Sequence, residues 1–131
     1  MSLIKNIIIF LGIFFISGIT QLSAQEIKKI GKYKDWEAMV VSEATGKVCF
    51  AQSSPILQKP NKRDAKLFVA FRQNEKKKYI NEVSLTAGYE FNKGNSVIAV
   101  SGKNKFKFDM KEQGFAWIAD PKIELKMIKQ M

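Results

Sequence analysis

Histidine is absent from this chain of 131 residues, cysteine occurs once, and proline only three times. Without histidine there can be no Ser-His-Asp or Cys-His catalysis, and the commonest zinc ligand is missing. One cysteine cannot form a disulfide within the chain. No Walker pattern and no phosphate-cradling glycine loop occurs, and the one glycine of "YEFNKGN" (89–95) reads as a turn residue. The carboxylates are scattered, and Asp35 and Glu37 are the pair that could imitate a glycosidase acid and base. Two carboxylates two residues apart on an exposed strand face are more simply solvated. No catalytic, metal-ligating or cofactor-binding residue is assigned, and no cofactor is expected.

Arginine is also scarce. Of 22 basic residues only Arg63 and Arg72 are arginines, against 12 acidic residues, for a formal net charge of +10. Nucleic-acid readers lean on the planar guanidinium fork, so a lysine-dominated excess argues against nucleic acid. Composition bias and solubility account for much of it. What remains suits an anionic envelope component or a protein partner.

The one long apolar run lies at the start, in "MSLIKNIIIFLGIFFISGITQLSAQE" (1–26). Lys5 gives a positive lead, Ile7–Ile19 is apolar, and "LSA" ends at Ala24 in the manner of a signal-peptidase site. A spanning helix needs about 20 apolar residues, so residues 1–24 read as a signal peptide cut between Ala24 and Gln25, with an uncleaved anchor as the alternative. No cysteine stands there to take a lipid. Residues 25–131 then form one small domain, periplasmic, extracellular or in the outer envelope. Membrane contact is expected only through the signal segment before cleavage. The oligomeric state is left open.

Residues 25–32 read as a loose basic lead-in. Seven short strands follow, at 33–41, 47–53, 67–72, 80–87, 96–102, 105–110 and 115–119. "KFKFDM" (105–110) alternates most clearly, with Phe106, Phe108 and Met110 inward. "LFVAFR" (67–72) is apolar on both faces and reads as a central, doubly covered strand. Asp120 and Pro121 are placed to cap and start a helix, with Ile123, Met127 and Ile128 on one face. Trp36 and Trp117 read as core anchors of two sheets in preference to ligand-stacking platforms. The pattern predicts an all-β antiparallel sandwich with a short C-terminal helix.

Two basic segments interrupt the strands: the long loop 54–66, with Lys59, Lys62 and Arg63, and the turn holding Lys76, Lys77 and Lys78. Together they could form an anion-binding edge and are the candidate partner contacts, although solvated turns are the simpler reading. Cys49, between Val48 and Phe50, reads as a buried, inert thiol. An intermolecular disulfide and a reactive nucleophile are the alternatives.

The order "DWEAM", "GKVCFAQSSP", "LFVAFR", "NEVSLTAGYEFNKGNSVIAV", "KFKF", "GFAWIAD", then an amphipathic helix, resembles the invasion-associated locus B family of exported alphaproteobacterial proteins. The resemblance covers residues 33–131. It implies an immunoglobulin-like sandwich in the periplasm or outer envelope, without enzymatic activity or cofactor. "EAMVV" lacks a second cysteine that many members carry, which makes Cys49 the remnant of a pair. Family domains also continue past the helix with a further hairpin, so the resemblance implies either a missing final hairpin or a sandwich completed differently. The function expected is a non-enzymatic envelope protein that binds an envelope or host-surface partner. The alternatives are a surface adhesion or host-entry factor and a hydrolase of envelope polymers working through Asp35 or Glu37.

Overall fold

The computed structural model describes residues 25–60 and 62–131. The expected signal segment 1–24, with Ala24 of its cleavage site, lies outside the described residues. Gln25 is exposed just ahead of the first strand.

The described residues form nine strands and one helix. The strands are β1 (Ile27–Tyr33), β2 (Trp36–Glu43), β3 (Gly46–Ser53), β4 (Lys66–Gln73), β5 (Tyr79–Thr86), β6 (Val97–Ser101), β7 (Asn104–Phe108), β8 (Met110–Glu112) and β9 (Phe115–Trp117), followed by helix α1 (Pro121–Ile128). Seven strands form one antiparallel sheet in the order β1-β2-β3-β4-β5-β9-β8, and β6 and β7 form a separate hairpin. The all-β antiparallel architecture with a short C-terminal helix is the one the strand pattern predicts, and β4 is its central strand.

Two expectations about strands are corrected. Residues 27–33 are not a loose lead-in but the edge strand β1, paired with β2 from Ile27↔Val41 to Tyr33↔Trp36. A bulge between Lys29 and Gly31 inserts Ile30 and breaks the two-residue alternation that would have betrayed the strand. Lysines along this edge discourage pairing with another chain. The alternation of 105–110 also ends earlier. Asp109 Oδ1 accepts from the Ala119 N–H at 3.1 Å, and the chain leaves the hairpin there for the large sheet. Met110 pairs with Trp117 and is 54% exposed instead of inward.

The main core lies under one face of the large sheet. Phe106 and Phe108 of the hairpin are fully buried, and they pack with Val83, Ala116, Ile118 and Met127. Leu67, Leu85, Val97, Ala99 and Ile128 close around them. This second layer meets β4, β5 and β9 and takes no residue from β1 to β3. Asp120 caps α1 by accepting from the Lys122 N–H at 2.8 Å, with Pro121 in the first turn. Met127 and Ile128 face the core as expected. Ile123 does not; it is 38% exposed, and Glu124 is the buried residue of that turn. Its carboxylate accepts the Val83 N–H at 2.9 Å, where β5 runs past the end of the short β9. Burial pushes the Glu124 carboxyl above its usual range, the Val83 N–H pulls it partly back, and the nearby Glu82 charge pushes it up a little further.

Candidate functional site

The opposite face of the large sheet is open and concave. Strict alternation puts Val41, Val48, Phe50, Phe68, Ala70, Ser84, Phe115 and Trp117 on it, as the cross-strand registers require. Four strands lie between β2 and β8, yet Val41 and Glu43 of one and Glu112 of the other line the same groove. The sheet therefore curls around this face. The groove has a volume of about 430 Å³, within the range of small-ligand sites.

A row of aromatic rings forms its floor. Phe50 and Phe68 have centroids 6.3 Å apart, Phe68 and Phe115 6.0 Å, and Phe115 and Trp117 5.9 Å. These spacings are those of favourable ring pairs. Val41, Val48 and Ala70 are buried beside them, while Phe115 remains 36% exposed. At one side Arg72 Nη2 donates to Glu82 Oε1 at 2.9 Å. The Arg72 Nε–H is buried with no acceptor among the described residues. Beyond Trp117 and Glu82 a second hollow of about 610 Å³ opens between β5, β8 and α1. Both hollows share Glu82, Glu112 and Trp117. An apolar floor, one ion-paired guanidinium and carboxylates at the rim suit a ligand with an apolar body and hydrogen-bonding polar groups.

Several residues singled out from the sequence sit elsewhere. Lys59 and Lys62 are exposed and Arg63 is partly buried in the loop before β4, and Lys76, Lys77 and Lys78 are exposed in the turn after it. β4 separates the two clusters: at about 3.3 Å per residue its length holds them roughly 20 Å apart. They do not form one anion-binding edge. Asn74 shapes the second cluster, its Oδ1 accepting from the N–H groups of Lys76 and Lys78 at 3.0 Å each.

Cys49 is exposed, not buried. Its neighbours Val48 and Phe50 point into the groove, so Cys49 points to the other face, opposite Val40 and Phe71. The second layer does not reach that part of the sheet. The core-remnant reading of Cys49 therefore fails. Trp36 and Trp117 belong to neither buried cluster. Trp36 is half-buried at the start of β2, and Trp117 lines the groove.

Asp35 and Glu37 do not share a strand face as expected, although both line one small hollow. Asp35 lies in the turn before β2, while Glu37 accepts from Lys29 Nζ at 2.5 Å and from Gln52 Nε2 at 3.1 Å. The Lys29 ammonium, helped by the Gln52 amide, holds the Glu37 carboxyl below its ordinary value. A general acid needs the opposite shift. No group of three metal-ligating side chains occurs among the described residues.

The groove residues escaped the sequence reading, although one signal pointed to them. "LFVAFR" is apolar on both faces; one face feeds the core and the other, Phe68 and Ala70, floors the groove. No family model, curated protein or solved structure matches the chain.

Proposed function

We propose that the protein is an exported, non-enzymatic binding protein of the cell envelope, of the kind the invasion-associated locus B family comprises, and that the concave aromatic groove is its ligand site. The observation that carries this reading is the open row Phe50, Phe68, Phe115 and Trp117 beside the Arg72–Glu82 pair. Apolar contact with the rings supplies most of the affinity, and the Arg72–Glu82 pair at the side of the floor offers polar contact. The signal-like segment before Gln25 and the order of strand motifs support the address and the family resemblance.

Binding fits the groove better than catalysis does. Ser84 is the hydroxyl on its floor, and Glu82, the carboxylate two residues away on the same face, is held by Arg72. With no histidine in the chain, Ser84 has no evident base to activate it.

Nile red, a neutral apolar dye, tests the site. Its emission should rise and shift to the blue with the wild-type protein, saturably. Phe115→Ser, at a partly exposed position, should weaken binding roughly tenfold with the circular dichroism spectrum unchanged. Equal dye binding by wild type and by both Phe115→Ser and Ala70→Arg would remove the groove from the proposal.

A further inference from the structure

The loop between β3 and β4 carries two adjacent apolar residues that nothing among the described residues covers. Ile56 is 96% exposed and Leu57 79% exposed, the two highest values among the exposed large hydrophobic residues of the described chain. They are adjacent, and Lys59, Lys62 and Arg63 follow within six residues. Water alone is a poor setting for such a pair.

The segment that follows this pair is braced against the fold. Gln58 Nε2 donates to the Arg63 carbonyl at 2.9 Å, closing a turn directly after Leu57. The Arg63 guanidinium stacks 4.4 Å from the centre of the Tyr89 ring. Lys66 pairs with Asp64 at 3.0 Å, which removes the acid of this segment from the field of its cations. Gly88, at φ +73°, lets the next turn approach so closely that a Cβ there would lie 2.7 Å from the Asp64 nitrogen. Lys62 lies in the left-handed region, at φ 65°, and helps reverse the chain. The same end of the sheet presents Tyr33, 63% exposed beside the Trp36↔Ser53 pairing, and Tyr89, 49% exposed. Tyrosines concentrate at membrane–water interfaces.

We propose that this loop docks the protein on an anionic lipid bilayer, with Ile56 and Leu57 entering the boundary between headgroups and acyl chains and with Lys59, Lys62 and Arg63 on the lipid phosphates. Charge complementarity selects this occupant: three cations follow the apolar pair within six residues on a chain of net charge +10, the pattern of interfacial anchors. Two aliphatic side chains and three cations give a reversible attachment. Among the described residues no helix is long and apolar enough to cross a membrane, so this contact lies on the bilayer surface. It is separate from the groove and holds whether or not the groove binds a ligand.

The test places a reporter in the apolar pair. In the full chain carrying Ile56→Trp, tryptophan emission is compared with that of wild type, which supplies the Trp36 and Trp117 background. Vesicles contain phosphatidylcholine with 30% phosphatidylglycerol, or phosphatidylcholine alone, with and without brominated acyl chains. The expected result is a blue shift and bromine quenching in the anionic vesicles. Leu57→Ser should weaken vesicle binding roughly tenfold or more. Each of Lys59→Gln, Lys62→Gln and Arg63→Gln should weaken it about fivefold, and 0.5 M salt should act in the same direction. Emission untouched by vesicles overturns the proposal. Equal insertion into neutral and anionic vesicles overturns its electrostatic half. A shift that follows protein concentration instead of lipid places a second copy of the chain on the loop and also overturns it.

Discussion

Replacing Glu124 by leucine removes the acceptor that the Val83 N–H uses inside the core. Val83 is fully buried and Glu124 is 6% exposed, so water does not readily take over. Leucine has a similar volume and opens no large void, but it leaves a buried donor unmade, at about 1–3 kcal/mol. Glu124→Gln keeps a carbonyl for the same N–H and drops only the charge. The informative quantity is therefore the difference between the two variants: glutamine should exceed leucine by about 1–3 kcal/mol in urea or thermal unfolding. For a domain of this size that is roughly 4–8 °C in Tm for each kcal/mol. The Val83 amide should exchange with deuterium much faster in the leucine variant. A pH signature accompanies this. Burial raises the folded carboxyl above its ordinary 4.5, so between the two values the native state holds more proton than the unfolded one. Stability from this group is present below pH 4.5 and falls as pH rises through the raised value. Wild type should show that fall and Glu124→Gln should not. Equal stability of the leucine and glutamine variants, with equal exchange at Val83, would refute the reasoning.

Cys49 should react stoichiometrically with a thiol reagent in the native protein, without denaturant; a thiol that appears only on unfolding would contradict its exposed place on β3. Phe108→Ala should cost about 3–5 kcal/mol, since Phe108 is fully buried between hairpin and sheet; a loss below about 1 kcal/mol, read from urea unfolding, would show that the second layer is not packed as described. Glu37 should titrate below 4.5 by NMR and move back toward it in Lys29→Met. Because its folded value is lowered, the stability it lends is present above pH 4.5 and lost as pH falls through the lowered value. An unchanged Glu37 titration in that variant would deny the Lys29 contact.

Strand positions with regular alternation were readable before the fold was known. Phe106 and Phe108 alternate with lysines, and Val83 and Leu85 with polar neighbours, so their burial follows from the two-residue period. The helix start followed from Asp120 and Pro121, whose capping chemistry is local. What failed to show depends on the extent of the second layer. Cys49, Val40 and Phe71 lie on the face that the hairpin covers farther along the sheet, and no local pattern tells where that cover stops. Ile123 and Glu124 exchanged roles because a donor on β5, remote in sequence, captured the carboxylate. The groove stayed hidden for a related reason. Its floor comes from β2, β3, β4, β5 and β9, and only the curl of the sheet makes them one surface. The basic clusters could be named but not placed, since the length of β4 decides that they lie apart.

Native mass spectrometry of the protein recovered from the periplasmic fraction of its own host tests the central claim most directly. An exported binding protein predicts a chain starting at Gln25, with a free thiol at Cys49 and a non-covalently held apolar species that Phe115→Ser loses. A chain that retains residues 1–24, or wild-type and Phe115→Ser proteins that both carry nothing, would contradict it.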